Sequence, residues 1–174
     1  MHLRETLFRA LSPYWAYRPL SGDGAAKFGG RFNRIGRPAL YLSFSVETAL
    51  NEVHQAGSFM PTTLVAVEVD LDPVLDATDP DELGKSGFAL EDLALPDWAM
   101  QMDMKGQARS QEFAERVATQ GYCGAIVPSF APGARRGARN LVLWSWGSDL
   151  PARVRVVDEH ERLRHPPAPP NETD

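Results

Sequence analysis

The chain has 174 residues, of which 43% are hydrophobic and 24% charged, a composition close to the globular average that argues against a disordered chain. The formal net charge of −5 weighs against a general nucleic-acid-binding protein, because that class normally presents a basic surface. No apolar run approaches the roughly 20 residues of a membrane span, and the first residues show no secretory signal. The single cysteine, Cys123, suits a reducing compartment. We therefore expect a cytoplasmic protein that binds neither a membrane nor nucleic acid directly.

Local patterns predict the first elements in chain order. Residues 39–43 and 63–69 are short runs rich in β-branched or aromatic residues, and both are predicted strands. Between them, Ser45 is predicted to cap a helix that runs to about Gln55, since apolar residues recur there at i, i+3, i+4 and i+7. Residues 79–104 indicate only short helical turns and loops.

The second half of the chain is predicted to contain one helix and three strands. Ser110 is placed to cap the helix and Gly121 to end it, because an apolar stripe lies between them. The predicted strands are residues 124–128, 141–146 and 154–157.

The folded body is predicted to cover residues 1–158. Few of its strands are separated by clean crossover helices, so the order favours an α+β domain over a regular βαβ arrangement. Residues 159–174 contain four prolines and end in a polar run, a composition that builds no core. We predict a flexible tail there.

Several common functional motifs are absent from the sequence. The glycine-rich segment 21–27 lacks the Gly-Lys-Ser/Thr ending of a phosphate-binding loop and the third glycine of a dinucleotide-binding turn. The four histidines fit no zinc spacing, and we expect no metal.

Polar residues nevertheless stand at positions typical of a binding cleft. Gly29 and Gly30 allow close approach of a ligand, and Arg31 beside them presents a planar fork of donors suited to a phosphate. Glu52 lies about 110° from the centre of the apolar stripe on its predicted helix, at the border between core and surface. A carboxylate at that border faces a cleft or is an ordinary solvated residue.

Six segments with characteristic residues follow one another along the chain. Residues 28–33 read Phe-Gly-Gly-Arg-Phe-Asn, residues 40–43 read Leu-Tyr-Leu-Ser, and residues 49–53 read Ala-Leu-Asn-Glu-Val. The other three segments are residues 7–10, 121–129 and 139–144. Each alone is weakly specific, but the ordered set resembles the RES domain family, which is named for its Arg, Glu and Ser.

The resemblance implies a compact mixed β-sheet core with flanking helices, similar to the fold of ADP-ribosyltransferase toxins. It also implies the toxin half of a bacterial toxin–antitoxin pair, with NAD⁺ consumed as a substrate. The expected partner is an Xre-like helix-turn-helix antitoxin that occludes the active site, together with a host protein that accepts ADP-ribose.

Matching the family's motifs residue by residue assigns a set of expected site residues. Arg31, Glu52 and Ser129 correspond to the family's Arg, Glu and Ser and are the expected catalytic residues. The expected NAD⁺-binding residues are Arg9, Arg31, Tyr41, Glu52, Ser129 and Asn140.

The resemblance, combined with the chemistry of glycosidic cleavage, suggests a role for each residue. Glu52 is expected to hold the ribose hydroxyls and stabilise the cation that develops as nicotinamide leaves. Arg31 and Arg9 are expected to bind the pyrophosphate, and Tyr41 to shape the nicotinamide pocket. The remaining two residues are expected to position the ribose or the carboxamide.

Three functions remain open on the sequence. The first is transfer of ADP-ribose to a host protein, and the second is an NAD⁺ glycohydrolase or phosphorylase, because water and phosphate attack the same cation. The third is a non-catalytic nucleotide-binding module. Ala10 stands where some family members carry an aromatic residue, and an amphipathic first helix is an alternative explanation for Arg9.

Overall fold

A computed structural model describes residues 1–54 and 60–164 as an α+β domain. Its strands are β1 (Leu3–Leu11), β2 (Leu40–Ser43), β3 (Thr63–Leu71), β4 (Val74–Asp76), β5 (Gly124–Pro128), β6 (Arg139–Leu143) and β7 (Ala152–Val156). Its α-helices are α1 (Asp23–Phe28), α2 (Val46–Val53), α3 (Pro80–Lys85), α4 (Leu90–Ala94), α5 (Trp98–Lys105) and α6 (Arg109–Thr119). A single 3-10 turn covers Pro13–Trp15.

The seven strands form one mixed sheet in the order β4-β5-β6-β2-β1-β3-β7. Only β4 and β5 pair in parallel; the other neighbours are antiparallel. The long β1 pairs with β3 over nine residues and with β2 on its other side, so it lies inside the sheet. The predicted α+β class with a mixed sheet is confirmed.

The five predicted strands are confirmed, residues 124–128 with the predicted ends and the other four with shifted ends, and the strands β1 and β4 were missed. In β1 the buried residues are Leu3, Leu7 and Ala10, a spacing of four and three that is typical of a helix. The alternative explanation of Arg9 by an amphipathic first helix is therefore wrong, because pairing with β3 overrides the local pattern. The three residues of β4 are too few to give a periodic signal.

The two principal helices differ in how well their ends were predicted. Ser45 does cap α2, since its hydroxyl accepts a hydrogen bond of 3.1 Å from the Thr48 N–H. That helix ends at Val53, and Gln55 lies outside the described residues. The predicted Ser110 cap is wrong, because α6 starts at Arg109 with Ala108 as its N-cap, and the Ser110 hydroxyl donates to the carbonyl of Arg31.

Two apolar clusters fill the two faces of the sheet. In β6, Leu141 and Leu143 belong to the first cluster, whereas Val142 between them belongs to the second, which packs under the helices. By the same alternation, Tyr41 and Asn140 lie on the helix-covered face. The sheet therefore positions the polar residues of β2 and β6 side by side.

The predicted tail is described only in part. Residues 159–164 form turns, and Leu163 packs against the first apolar cluster. Residues 165–174 lie outside the described residues, and the boundary at 158 remains a prediction. Within the described ranges, no helix combines the length and the apolar character required to cross a bilayer.

Candidate active site

Glu52 lies near the end of α2 and is held by two donors from distant parts of the chain. Its Oε1 atom accepts a hydrogen bond of 2.7 Å from the Ser129 hydroxyl and one of 2.6 Å from Nδ2 of Asn140. Ser129 directly follows β5, and Asn140 lies on the neighbouring β6. The structure thus brings together three residues that the sequence separates by 77 and 88 positions.

The orientation of Asn140 is fixed from the other side by Ser43. These two residues are opposite each other in the pairing of β2 and β6, and the Ser43 hydroxyl donates a hydrogen bond of 2.7 Å to Oδ1 of Asn140. Because the amide oxygen is occupied, the amide nitrogen is directed toward Glu52. Ser43 was not among the predicted site residues, although it lies two positions after Tyr41 on the same face of β2.

Arg31 forms the wall of the site across from α2. Its Nη1 donates to the carbonyl oxygens of Leu93 and Leu95, at 3.0 and 2.8 Å. Its guanidinium carbon lies 4.7 Å from the ring centroid of Phe130 and 5.9 Å from that of Trp98. Burial lowers the pKa of Arg31, and the nearby charge of Glu52 opposes that shift.

The loop that carries Arg31 is closed on itself and fastened to α6. Gly30 and Asn33 exchange backbone hydrogen bonds of 2.9 and 3.2 Å, which makes residues 30–33 a tight turn. Nε2 of Gln111 donates to the carbonyls of both residues, at 2.8 and 3.0 Å. A Cβ atom on Gly30 would lie only 2.7 Å from Oδ1 of Asn33 and from the hydroxyl of Tyr41, so a larger residue at this position would displace these two hydrogen-bonded side chains.

Two further donors hold the middle of the same loop. The Ser110 hydroxyl donates to the carbonyl of Arg31 at 2.6 Å, and Nε1 of Trp144 donates to the carbonyl of Phe32 at 2.9 Å. All four carbonyl oxygens of residues 30–33 therefore have hydrogen-bond donors. Sequence reasoning missed these supports, because their partners are 79 and 112 positions away in the chain.

The phenol of Tyr41 connects the sheet to this loop. Its hydroxyl donates to Oδ1 of Asn33 at 2.7 Å and accepts the N–H of Phe32 at 3.2 Å. Burial raises the pKa of Tyr41 far above its ordinary value, so the phenol stays neutral. The hydroxyl of Tyr41 supports the loop, while its ring faces the site.

Arg9 lies on β1, on the far side of the site from Arg31. Its Nη1 donates to the carbonyls of Pro19 and Ser21, at 2.6 and 3.0 Å, which ties the segment before α1 to the sheet. Burial lowers the pKa of Arg9 to about 10, so its guanidinium is still charged at neutral pH. Arg9 lines a cavity together with Glu52.

Two cavities meet at Glu52. One of about 270 Å³ extends toward Arg9, and one of about 200 Å³ extends toward Arg31; Tyr41, Glu52 and Asn140 line both. The carboxylate thus stands at the centre of a continuous cleft with a cationic residue at each end. Among residues 1–54 and 60–164, no group of three or more His, Cys, Asp or Glu side chains converges as a metal site would require.

This α+β sheet, with Arg, Glu and Ser side chains around one cleft, has the architecture of a RES domain. The RES domain family model matches residues 6–165, and the chain belongs to the RES domain family. The resemblance expected from the ordered motifs is confirmed.

Similar proteins include two curated relatives from bacteria. The NAD(+) phosphorylase MbcT of Mycobacterium tuberculosis is 34% identical over 91 residues, which are 46% of this chain and 49% of that protein. Toxin Res of Photorhabdus laumondii is 34% identical over 67 residues, 37% of this chain and 43% of that protein. The matched region therefore spans about half the length of these relatives.

A solved structure extends the similarity to nearly the whole fold. The crystal structure of the M. tuberculosis MbcT–MbcA toxin–antitoxin complex matches 91% of this chain and 84% of the solved chain, with a TM-score of 0.63. The sequence identity is 23%, so this likeness concerns the fold.

Proposed function

We propose that this protein is a RES toxin that consumes NAD⁺ by breaking the nicotinamide–ribose bond. The observation that carries the proposal is Glu52, whose carboxylate is fixed by Ser129 and Asn140 where two cavities meet. Cleavage of a sugar bond of this kind passes through an oxocarbenium-like transition state, which a fixed carboxylate stabilises.

In this proposal, the two donors to Oε1 hold the Glu52 carboxylate in the position that the reaction requires. A carboxylate held by two hydrogen bonds loses little entropy when it meets the ribose, because its rotamer is already set. Its negative charge stabilises the positive charge that develops on the ribose as nicotinamide leaves with the bonding electron pair. Hydrogen bonds to the ribose hydroxyls strengthen in the same transition state.

The arginines at the two ends of the cleft suit the anionic part of NAD⁺. Arg31 is oriented by hydrogen bonds to two carbonyl groups and by a cation–π contact with Phe130, which keep its guanidinium in place. Arg9 is charged and partly buried. We assign pyrophosphate binding to these two arginines, and packing against the nicotinamide to the ring of Tyr41.

The name of one relative, MbcT, favours phosphate as the acceptor. The relative MbcT is named an NAD(+) phosphorylase, and inorganic phosphate attacking the ribose cation gives ADP-ribose 1″-phosphate and nicotinamide. Transfer of ADP-ribose to a host protein, the first expectation from the sequence, uses the same cation and stays a prediction. The two acceptors give different labelled products, so incubations with phosphate and with host lysate distinguish them.

The proposal extends to a protein partner and a compartment. The solved MbcT structure is a toxin–antitoxin complex, which supports an antitoxin as the partner of this chain as well. We propose that an Xre-like antitoxin covers the cleft around Glu52 and that the toxin acts in the cytoplasm, where its substrate is found. The proposed catalytic unit is residues 1–158.

The test uses purified protein, NAD⁺ labelled with ³²P in the adenylate phosphate, and separate incubations with phosphate, without phosphate and with host lysate. The variant Glu52→Gln keeps the shape of the side chain and removes its charge. Glu47→Gln, an exposed residue on the same helix that pairs with Arg135, is the matched control.

We expect nicotinamide release from the wild type and the control, and at least about 100-fold less from Glu52→Gln. Labelled ADP-ribose 1″-phosphate identifies phosphorolysis, free ADP-ribose identifies hydrolysis, and a labelled protein band that is absent with Glu52→Gln identifies transfer. Equal turnover by Glu52→Gln and wild type, or no nicotinamide release from either, would contradict the proposal.

A further inference from the structure

A third cavity of about 380 Å³ adjoins the cleft on the far side of Arg9. It adjoins the cavity at Glu52, because Arg9 and Leu11 line both. Its walls come from the 3-10 turn and from α1, neither of which carries a predicted site residue. The aromatic and charged side chains that these two elements and the segment between them contribute are Trp15, Arg18, Asp23, Lys27 and Phe28.

Two aromatic rings in this cavity are unusually exposed. Trp15 has 54% and Phe28 has 68% of its surface accessible to solvent, although large aromatic side chains are favoured in buried positions. A planar ring that packs on such exposed aromatic side chains removes apolar surface from water, which is favourable.

The charge of the cavity is positive in a chain that is negative overall. Arg9, Arg18 and Lys27 face it against the single carboxylate of Asp23, which pairs with Arg18 at 2.8 Å. The Lys27 ammonium lies 5.0 Å from the ring centroid of Phe28, so a cation and an aromatic surface are adjacent. This combination is complementary to a ligand that joins a flat ring to a phosphate.

The size of the cleft is consistent with a ligand that extends beyond it. The two cavities at Glu52 measure about 270 and 200 Å³, so together they stand in the lower part of the roughly 300–1,000 Å³ range of small-molecule sites. A dinucleotide is a large ligand, and it gains room if one half extends into an adjoining cavity. The cavity beyond Arg9 is contiguous, and the hydrogen bonds from Arg9 to Pro19 and Ser21 hold its wall in place.

We propose that the cavity lined by Trp15, Lys27 and Phe28 binds the adenosine monophosphate half of NAD⁺. The adenine ring packs against the two aromatic side chains, and the adjacent phosphate lies between Arg9 and Lys27. This inference rests on the proposed function for its physiological ligand. It makes a separate statement about binding, which requires no turnover.

Calorimetric titration of the full chain with AMP tests the site directly. We expect AMP to bind the wild type and to bind Trp15→Ala about tenfold more weakly, as stacking losses at single-stranded nucleic-acid sites suggest. Lys27→Glu serves as a second variant and is expected to weaken AMP binding by a similar factor. Met104→Ala is the control, because Met104 is a large exposed apolar residue that does not line the cavity.

A kinetic comparison links the site to the reaction. Nicotinamide mononucleotide contains the scissile bond but lacks the AMP half, so the ratio of kcat/KM for NAD⁺ to that for nicotinamide mononucleotide measures the contribution of this cavity. We expect Trp15→Ala to lower that ratio about tenfold through KM for NAD⁺, and Met104→Ala to leave it at the wild-type value.

The outcomes separate the two proposals. AMP binding that Trp15→Ala weakens supports the site even if no nicotinamide is released, in which case only the proposed function fails. NAD⁺ turnover that depends on Glu52, combined with AMP binding that is absent or equal in the wild type and both cavity variants, overturns the site and leaves the proposed function standing.

Discussion

The side-chain amide of Asn140 donates a hydrogen bond of 2.6 Å to Glu52, on the same oxygen atom that accepts the hydroxyl of Ser129. The amide oxygen is meanwhile occupied by Ser43. The rotamer of the carboxylate is therefore determined by the sheet, through β2 and β6, and not by α2 alone. The candidate reaction depends on the register of two strands as much as on the helix that carries the acid.

Asn140→Ala removes this donor and is expected to reduce the rate of nicotinamide release about 100-fold, the loss that a displacement of about 1 Å in a reacting group can cause. Ser43→Ala acts through Asn140 only and is expected to give a smaller loss. Steady-state rates for both variants, with thermal unfolding to verify the fold, provide the measurement. A larger loss of rate for Ser43→Ala than for Asn140→Ala would contradict the inference that Ser43 acts on Glu52 through Asn140.

Tyr41→Phe keeps the aromatic ring and deletes the hydroxyl that holds Asn33 and Phe32. We expect the free energy of unfolding to fall by about 1–3 kcal/mol, because the buried N–H of Phe32 loses its acceptor. The free energy of NAD⁺ binding should change less than the free energy of unfolding, since the ring still lines both cavities. Urea denaturation and NAD⁺ titration of the same preparation test this, and an unchanged midpoint with lost binding would refute it.

Gln111→Leu tests the attachment of the Arg31 loop to α6. Gln111 is fully buried and donates to two loop carbonyls, so replacing it with an apolar residue is expected to cost about 1–3 kcal/mol of stability. Turnover should fall as well, because the loop positions Arg31. Gln120→Leu at the exposed end of α6 is the control, expected within about 0.5 kcal/mol of the wild type by urea denaturation. Equal effects of the two variants would show that the loop does not need this attachment.

Gly30→Ala forces a Cβ atom to within 2.7 Å of Asn33 and Tyr41, so the turn must shift. We expect turnover to fall more than tenfold, as reacting groups move out of place. Gly84→Ala in α3 is the matched control: its Cβ meets nothing within 4 Å, and the change favours a helix by about 0.5–1 kcal/mol. Kinetics and thermal unfolding of both variants give the comparison, and full activity of Gly30→Ala would show that the turn tolerates a side chain.

Asp92 makes the stability of α4 depend on pH. The backbone N–H of Ala89 and then the guanidinium of Arg109 lower the pKa of Asp92 below its ordinary value. Because the folded-state pKa is the lower one, this stabilisation is present above about pH 4 and is lost as the pH falls through the folded-state value. Wild type should therefore be more stable than Asp92→Asn at pH 7, with a difference that shrinks below about pH 4. Urea denaturation across this range checks it, and a difference independent of pH would be the contrary result.

The sequence predicted those elements whose own residues determine their structure. Residues 63–69 alternate because one face of β3 is buried, and Ser45 caps α2 through a partner three residues away. The strand β1 escaped prediction because its spacing of buried residues is helical, and only the pairing with β3 reveals it. Local patterns carry no information about partners brought together by the sheet.

The residues of the candidate site also differ in whether the sequence could indicate them. Arg31 and Glu52 stood out by residue type and position, whereas Ser129 and Asn140 were assigned by family resemblance, and the structure places both on Glu52. Gln111 and Ser110 were not recognised as supports of the Arg31 loop. Their partners lie about 80 residues away, and a buried glutamine in a polar helix has the same sequence pattern as a solvated one.

The separation of 88 positions between Glu52 and Asn140 has a consequence for a newly made chain. At the usual ~5–20 residues per second, a ribosome needs roughly 4–18 s to pass from one to the other. For most of that interval Glu52 has been synthesised, but neither Ser129 nor Asn140 is available to fix it. The nascent chain therefore carries the acid before the residues that orient it, and the cleft around Glu52 is complete only after Asn140 has left the ribosome.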